Sequence, residues 1–134
     1  MKKIFLLTTA IVLTALTACT KHAGDVTQNT TPEDAVITFA SPTQGSVYAI
    51  GDSVSIQATC ISVSTLHGCD IIIRKAADST VLFSTHMHDH ATTLTINRKW
   101  KPELTEATNL EVLVKAAINH DGKMVTKKVG FRIQ

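Results

Sequence analysis

The sequence predicts an all-β domain of seven short strands arranged as a two-sheet sandwich, and three observations carry that reading. No long stretch shows the apolar periodicity of a helix. Short alternating runs rich in Val, Ile and Thr recur at roughly ten-residue spacing from Val36 onward. Clusters of turn residues, "SPTQG", "AADS" and "NHDGK", separate them. The domain defined in this way runs from Ala35 to Gln134, a length that suits one hydrophobic core.

The first run is Val36 to Phe39. The second, Ser53 to Cys60, places Val54, Ile56, Ala58 and Cys60 on one face. The third, Cys69 to Lys75, turns Cys69, Ile71 and Ile73 inward and ends at "AADS". In the fourth, Val81 to His88, the apolar set is Val81, Phe83 and Met87, so Leu82, Ser84, His86 and His88 point outward. The fifth, Thr93 to Trp100, has Leu94 and Ile96 in phase. The sixth, Leu110 to Ile118, carries an unbroken inward set of Leu110, Val112, Val114, Ala116 and Ile118. "HDG" then supplies the positive φ angles of a tight turn. The seventh run, Val125 to Ile133, sets Val125, Val129, Phe131 and Ile133 to one side.

Ahead of this domain, Met1-Lys2-Lys3 and the apolar stretch Ile4 to Leu16 have the layout of a secretory signal, too short to span a bilayer. The stretch closes on "LTAC", Leu16 to Cys19, which resembles the bacterial lipobox. That resemblance implies a lipoprotein signal peptide over residues 1–18, cleavage before Cys19 and acylation of Cys19, so that the chain partners the membrane through an N-terminal lipid. Thr20 stands where the inner-membrane retention signal would have Asp, and "TKHAGD" lacks an acidic surface-export run. The expected location is therefore the outer membrane, facing the periplasm. Residues 19–34, rich in Thr, Asn and Asp, read as the lipidated end and a flexible tether with a reach of roughly 20 Å.

The span "FASPTQGSVYAIGDSVSI…VGFRI" resembles the immunoglobulin-like modules of many Bacteroidota lipoproteins. The resemblance implies an immunoglobulin/fibronectin-III-like sandwich and implies no activity. The Cys…Trp…Cys pattern of immunoglobulins is absent, because Trp100 falls in the fifth run.

Charge and composition exclude several functions. Lys2 and Lys3 belong to the signal, and the remaining Lys and Arg balance Asp and Glu, so the mature chain is formally neutral. Nucleic-acid binding loses its electrostatic basis. Aromatic residues are too few for a carbohydrate-stacking platform. No phosphate-cradling glycine loop and no dinucleotide fingerprint is present. Copper–zinc superoxide dismutases also carry histidines on a Greek-key sandwich, but their glycine-flanked metal motifs and electrostatic loop are missing. No enzyme is expected.

The chemistry-bearing stretch is "STHMHDHATT", with His86, His88 and His90 at alternate positions. Same-face residues two apart in a strand are about 6.6 Å from each other, so a flat strand cannot bring three imidazoles to one ion. If every strand reverses, the loops holding His67, His90 and His120 all lie at one end of the sandwich. The expected site is a His86–His88 or His88–His90 pair completed by His67 or His120, suited to Cu or Zn. Asp89 and Asp121 would serve as ligands or as acceptors that fix histidine tautomers, and Met87, Cys60 and Cys69 as soft donors. Two other readings use the same residues: polar filler on an exposed strand, and a pH-responsive interface. For Cys60 and Cys69, a disulfide closing the intervening loop stands beside buried free thiols and metal ligation. The function expected is a non-enzymatic, lipid-anchored envelope binding module that holds a transition metal, with a structural or protein-interaction module as the alternative.

Overall fold

A computed structural model describes residues 35–134; the expected signal peptide (1–18), Cys19 and the tether (19–34) lie outside the described residues. The described chain is all-β and consists of six strands: β1 (Ala35–Ser41), β2 (Ser46–Tyr48), β3 (Val54–Lys75), β4 (Val81–Trp100), β5 (Thr108–Ala117) and β6 (Met124–Ile133). Six strands replace the seven expected. The second and third runs are one continuous strand, β3, and the fourth and fifth are one continuous strand, β4. A short strand outside the seven expected runs, β2, pairs parallel with β6.

The β3–β4 ribbon is the organising element. One edge of β3 pairs antiparallel with β4 along most of its length, from Val54↔Trp100 to Arg74↔Val81. Its other edge pairs first with β1, Ala35↔Ser62 to Ser41↔Gln57, and then with β5, Cys69↔Ala116 to Lys75↔Leu110. β5 continues to β6, and β6 to β2. One strand pair thus belongs to two neighbourhoods.

The expected reversals at residues 61–68 and 89–92 fail for a reason visible in the side-chain phase. In the first half of β3 the buried positions are even-numbered (Val54, Ile56, Ala58, Cys60, Leu66), and in the second half odd-numbered (Cys69, Ile71, Ile73). A phase change in sequence looks like the end of one strand and the start of the next. Here a β-bulge absorbs it: between His67↔His90 and Cys69↔Met87 the ladder slips by one residue, and Gly68 sits at φ 99°. A second irregularity separates Ile61 from Leu66. The chain therefore changes face without turning back.

Where the strands do end, the turn chemistry is as the residues require. "AADS" closes the β3–β4 hairpin: the Lys75 amide donates to the Thr80 carbonyl at 2.9 Å, and the Asp78 carboxylate accepts from the Thr80 amide at 2.9 Å. "NHDG" closes β5–β6 with Gly122 at φ 84° and the Ile118 amide on the Lys123 carbonyl. One hydrophobic cluster gathers Ile37, Ile56, Leu66, Ile71, Leu94, Val112 and Phe131. Leu82, assigned outward from the alternation, instead packs against this core and Val81 is exposed, because the β3–β4 register slips again between Ile73 and Arg74.

Gly68 generates the first prediction. A Cβ there would lie 2.6 Å from the Met87 carbonyl oxygen, a backbone atom that cannot swing aside, at a φ that L-residues rarely adopt. Gly68→Ala is expected to destabilise the fold by on the order of 3 kcal/mol, read from urea denaturation. A loss below about 0.5 kcal/mol, the ordinary scale of a surface substitution, would show that the bulge is not constrained as described.

Candidate functional site

Five histidines lie around the bulge. His67 of β3 and His90 of β4 are direct register partners across the ladder, with Nδ1 atoms 3.1 Å apart and rings edge to face. The Nε2 of His90 lies 3.2 Å from the Nε2 of His88. His120, from the β5–β6 turn, stacks at a tilt on His67 with ring centroids 3.9 Å apart. His86 stands next to His88, with centroids at 6.1 Å. The histidines come near one another by a route other than the expected reversing strands, in pairwise contacts. His67 and His90 meet midway along the ribbon, and β5 brings His120 alongside because Ala116 pairs with Cys69, one step past the bulge.

The cluster is a chain of imidazoles. Two proton arrangements satisfy both short contacts: His88 donates to His90 and His90 to His67, or each donation runs the other way. Either way His90 uses both ring nitrogens, one on each neighbour. Among the described residues, no group of three or more His, Cys, Asp or Glu side chains is placed to hold one ion. Of the two pairs named as alternatives from the sequence, His88–His90 has the short nitrogen–nitrogen contact.

His86 belongs to a different contact that the sequence reading missed. Its Nδ1 lies 2.7 Å from Oδ1 of Asp70, its partner across the β3–β4 ladder. No spacing in the sequence signals this pair, because the register that opposes the two residues depends on the bulge. Asp89 accepts the backbone N–H of its neighbour His90 at 2.8 Å, and Asp121 lies within reach of Asn119 in the same turn.

The soft donors are elsewhere. Met87 packs against the core, and Cys60 and Cys69 are buried free thiols, so the structure holds no Cys60–Cys69 disulfide. Burial pushes the Cys60 thiol up to about 11 and that of Cys69 to about 12. Both sulfurs belong to the inward face, whereas His86, His88 and His90 are exposed. The accessible donor set is thus imidazole with nearby carboxylate. The cleft between β2 and β5–β6, about 430 Å³, is lined by residues such as Gln44, Glu111, Phe131 and Arg132, and no histidine lines it. The histidine cluster is a surface site.

Partial burial holds the His67 pKa below the ordinary histidine value, and the neighbouring His120, His90 and His88 add to the effect. Such a group binds protons more readily in the unfolded chain, so acid favours unfolding. Its contribution is intact above about pH 6.5 and is lost as pH falls below that value. The melting temperature should therefore drop between pH 7.5 and pH 5, with a shallower drop in His67→Gln. Parallel profiles for the two chains would remove His67 as the cause. The thiols supply a separate check: under non-reducing conditions, Cys60 and Cys69 should resist a maleimide in the folded chain and both react in urea. No labelling in urea would reveal a disulfide.

No protein-family model and no curated protein matches this sequence. Solved structures do overlap with it. A fibronectin(III)-like module of Clostridium thermocellum CbhA superposes at TM-score 0.47 and 18% identity, over 73% of this chain and 94% of that one. The sulfur carrier protein SoxY from Chlorobium limicola f thiosulfatophilum gives 0.40 and 12%, over 76% and 80%. Murine CRIg gives 0.43 and 12%, over 75% and 96%. Overlaps of this size speak for neither an activity nor a partner.

Proposed function

We propose that the chain is a non-enzymatic binding module of the bacterial envelope, anchored in the outer membrane through a lipid on Cys19 and facing the periplasm. Its immunoglobulin-like domain takes a copper or zinc ion on the histidine cluster. The anchoring rests on the lipobox-like "LTAC" behind an apolar signal stretch. A two-layer sandwich is supported by the contact between β1 and β6, which are not neighbours in the sheet order, and by one core cluster drawing on both halves of the β3–β4 ribbon.

The observation that carries the metal reading is the His88–His90 pair. Its Nε2 atoms are 3.2 Å apart on an exposed strand. Two imidazole nitrogens on a tetrahedral zinc, with bonds of 2.0–2.1 Å, stand about 3.3–3.4 Å from each other. With an ion on Nε2, the Nδ1–H of His90 can still donate to Nδ1 of His67, the outer hydrogen bond that fixes a ligand's tautomer and ring orientation. In this reading His88 and His90 are the ligands, His67 orients His90, and His120 packs on His67. His86 lies beside the pair, is held by Asp70 and is not a ligand in this reading.

A second reading, an interaction module without a metal, is favoured by the outer face of the β1–β3 pair. Val36 and Ile61 are register partners and are 51% and 56% exposed, with Val63 beyond them at 85%. A protein partner in the envelope would cover these side chains.

Thermal melts with Zn²⁺ or Cu²⁺ test the metal reading. Free metal at about 100 times Kd stabilises by about 2.7 kcal/mol through mass action, and for a domain of roughly 100 residues each kcal/mol raises Tm by about 4–8 °C. His90→Ala should abolish the rise. If neither ion moves the melting temperature of the parent chain, the interaction reading stands instead.

A further inference from the structure

We infer that the metal site is completed by a second copy of the chain: one ion, four imidazoles, two from each protomer. This rests on the metal reading above and deepens it.

The argument starts from a shortfall. A zinc held structurally by protein is almost always four-coordinate. Each protomer presents nitrogens in close pairs, His88 with His90 and His90 with His67, and no three donors among the described residues converge. His90 cannot turn both nitrogens to the same ion, so the two pairs do not add up to one site. Two carboxylates of the cluster are already engaged, Asp70 with His86 and Asp89 with the His90 amide. The buried Cys60 and Cys69 cannot reach the surface without unfolding the core. A protomer acting alone therefore supplies two ligands and leaves the other positions to water or to another molecule.

The topology puts that pair on an open side. β4 pairs with β3 and with no other described strand, so its outer edge runs free from Val81 to Trp100 with His88 and His90 in its middle. A long unpaired edge is an approach route for another chain. Two copies related by a twofold axis through the ion place the same pair on each side of it, which closes a tetrahedron from two identical halves. The ligands are neutral and the mature chain is formally neutral, so no net repulsion opposes the approach. The remaining ring nitrogen of each His90 stays on its own His67, which holds both halves in shape before they meet.

Sedimentation of the mature chain, residues 19–134 carrying Cys19→Ser so that neither signal stretch nor lipid is present, tests this with Zn²⁺ as the probe. The expected result is a monomer in EDTA and a dimer in zinc holding one ion per two chains. His88→Ala and His90→Ala should each remain monomeric in zinc with unchanged far-ultraviolet dichroism. His86→Ala should dimerise like the parent, which separates the proposed pair from a general effect of lost histidine. Binding of one zinc per monomer without dimerisation overturns the two-protomer site and leaves the metal reading in place. Dimerisation that persists in EDTA overturns it as well, whereas absence of any bound zinc removes the metal reading itself.

Discussion

The bulge at Gly68 is the constraint on which the rest of this structure depends. A strand that alternates perfectly keeps one face buried from end to end, and β3 could then serve only one neighbourhood. By slipping one residue against β4, the chain transfers its buried set from even to odd positions within a single continuous strand. That slip lets one ribbon receive β1 on its first half and β5 on its second. It also opposes Asp70 to His86, while the earlier irregularity between Ile61 and Leu66 sets the register in which His67 faces His90. The imidazole chain thus lies where the ribbon changes register, with His67 and His90 paired just ahead of Gly68 and His88 opposite the bulge.

Much of the fold was readable because burial imposes period two. The inward sets of the runs that became β3, β5 and β6 appear in the core, including Ile118 just past β5 and Ile133 at the end of β6, except that Val125 is only partly buried against it. What could not be read was continuity. "TLHGC" and "DHATT" break the alternation, and a break in phase has the same signature whether the chain turns back or bulges. β2 was missed because Ser46–Tyr48 is only three residues long and earns its place through Gly45 and Tyr48 bonding to the last strand rather than through any pattern of its own.

The histidine cluster shows the same division. Strand period was enough to rule out three imidazoles on one ion and to single out adjacent pairs. Which pair closes up, and that His67 faces His90, depends on register across the ladder, which no single strand encodes. The thiols and Met87 illustrate the opposite case. Offered from the sequence as soft donors, they share instead the inward phase of their strands, and burial raises the thiol pKa values. Under the proposed metal reading, nitrogen donors without sulfur would favour zinc or cupric over cuprous copper.

The clamp at the far side of the sheet has a kinetic meaning. Gln44 spans 86 residues to receive the Gly130 amide on its side-chain oxygen, and its own amide occupies the space a side chain at Gly130 would fill. Beside it β2 runs parallel to β6, with Tyr48 edge to face on Phe131. Contacts of such separation close a loop spanning most of the domain and form late, when much of the chain is already ordered. The β3–β4 hairpin, whose strands follow one another directly, needs no such wait. His67, His86, His88 and His90 all sit on that hairpin, so their mutual contacts need a shorter loop closure than the clamp that ties β2 to the last strand.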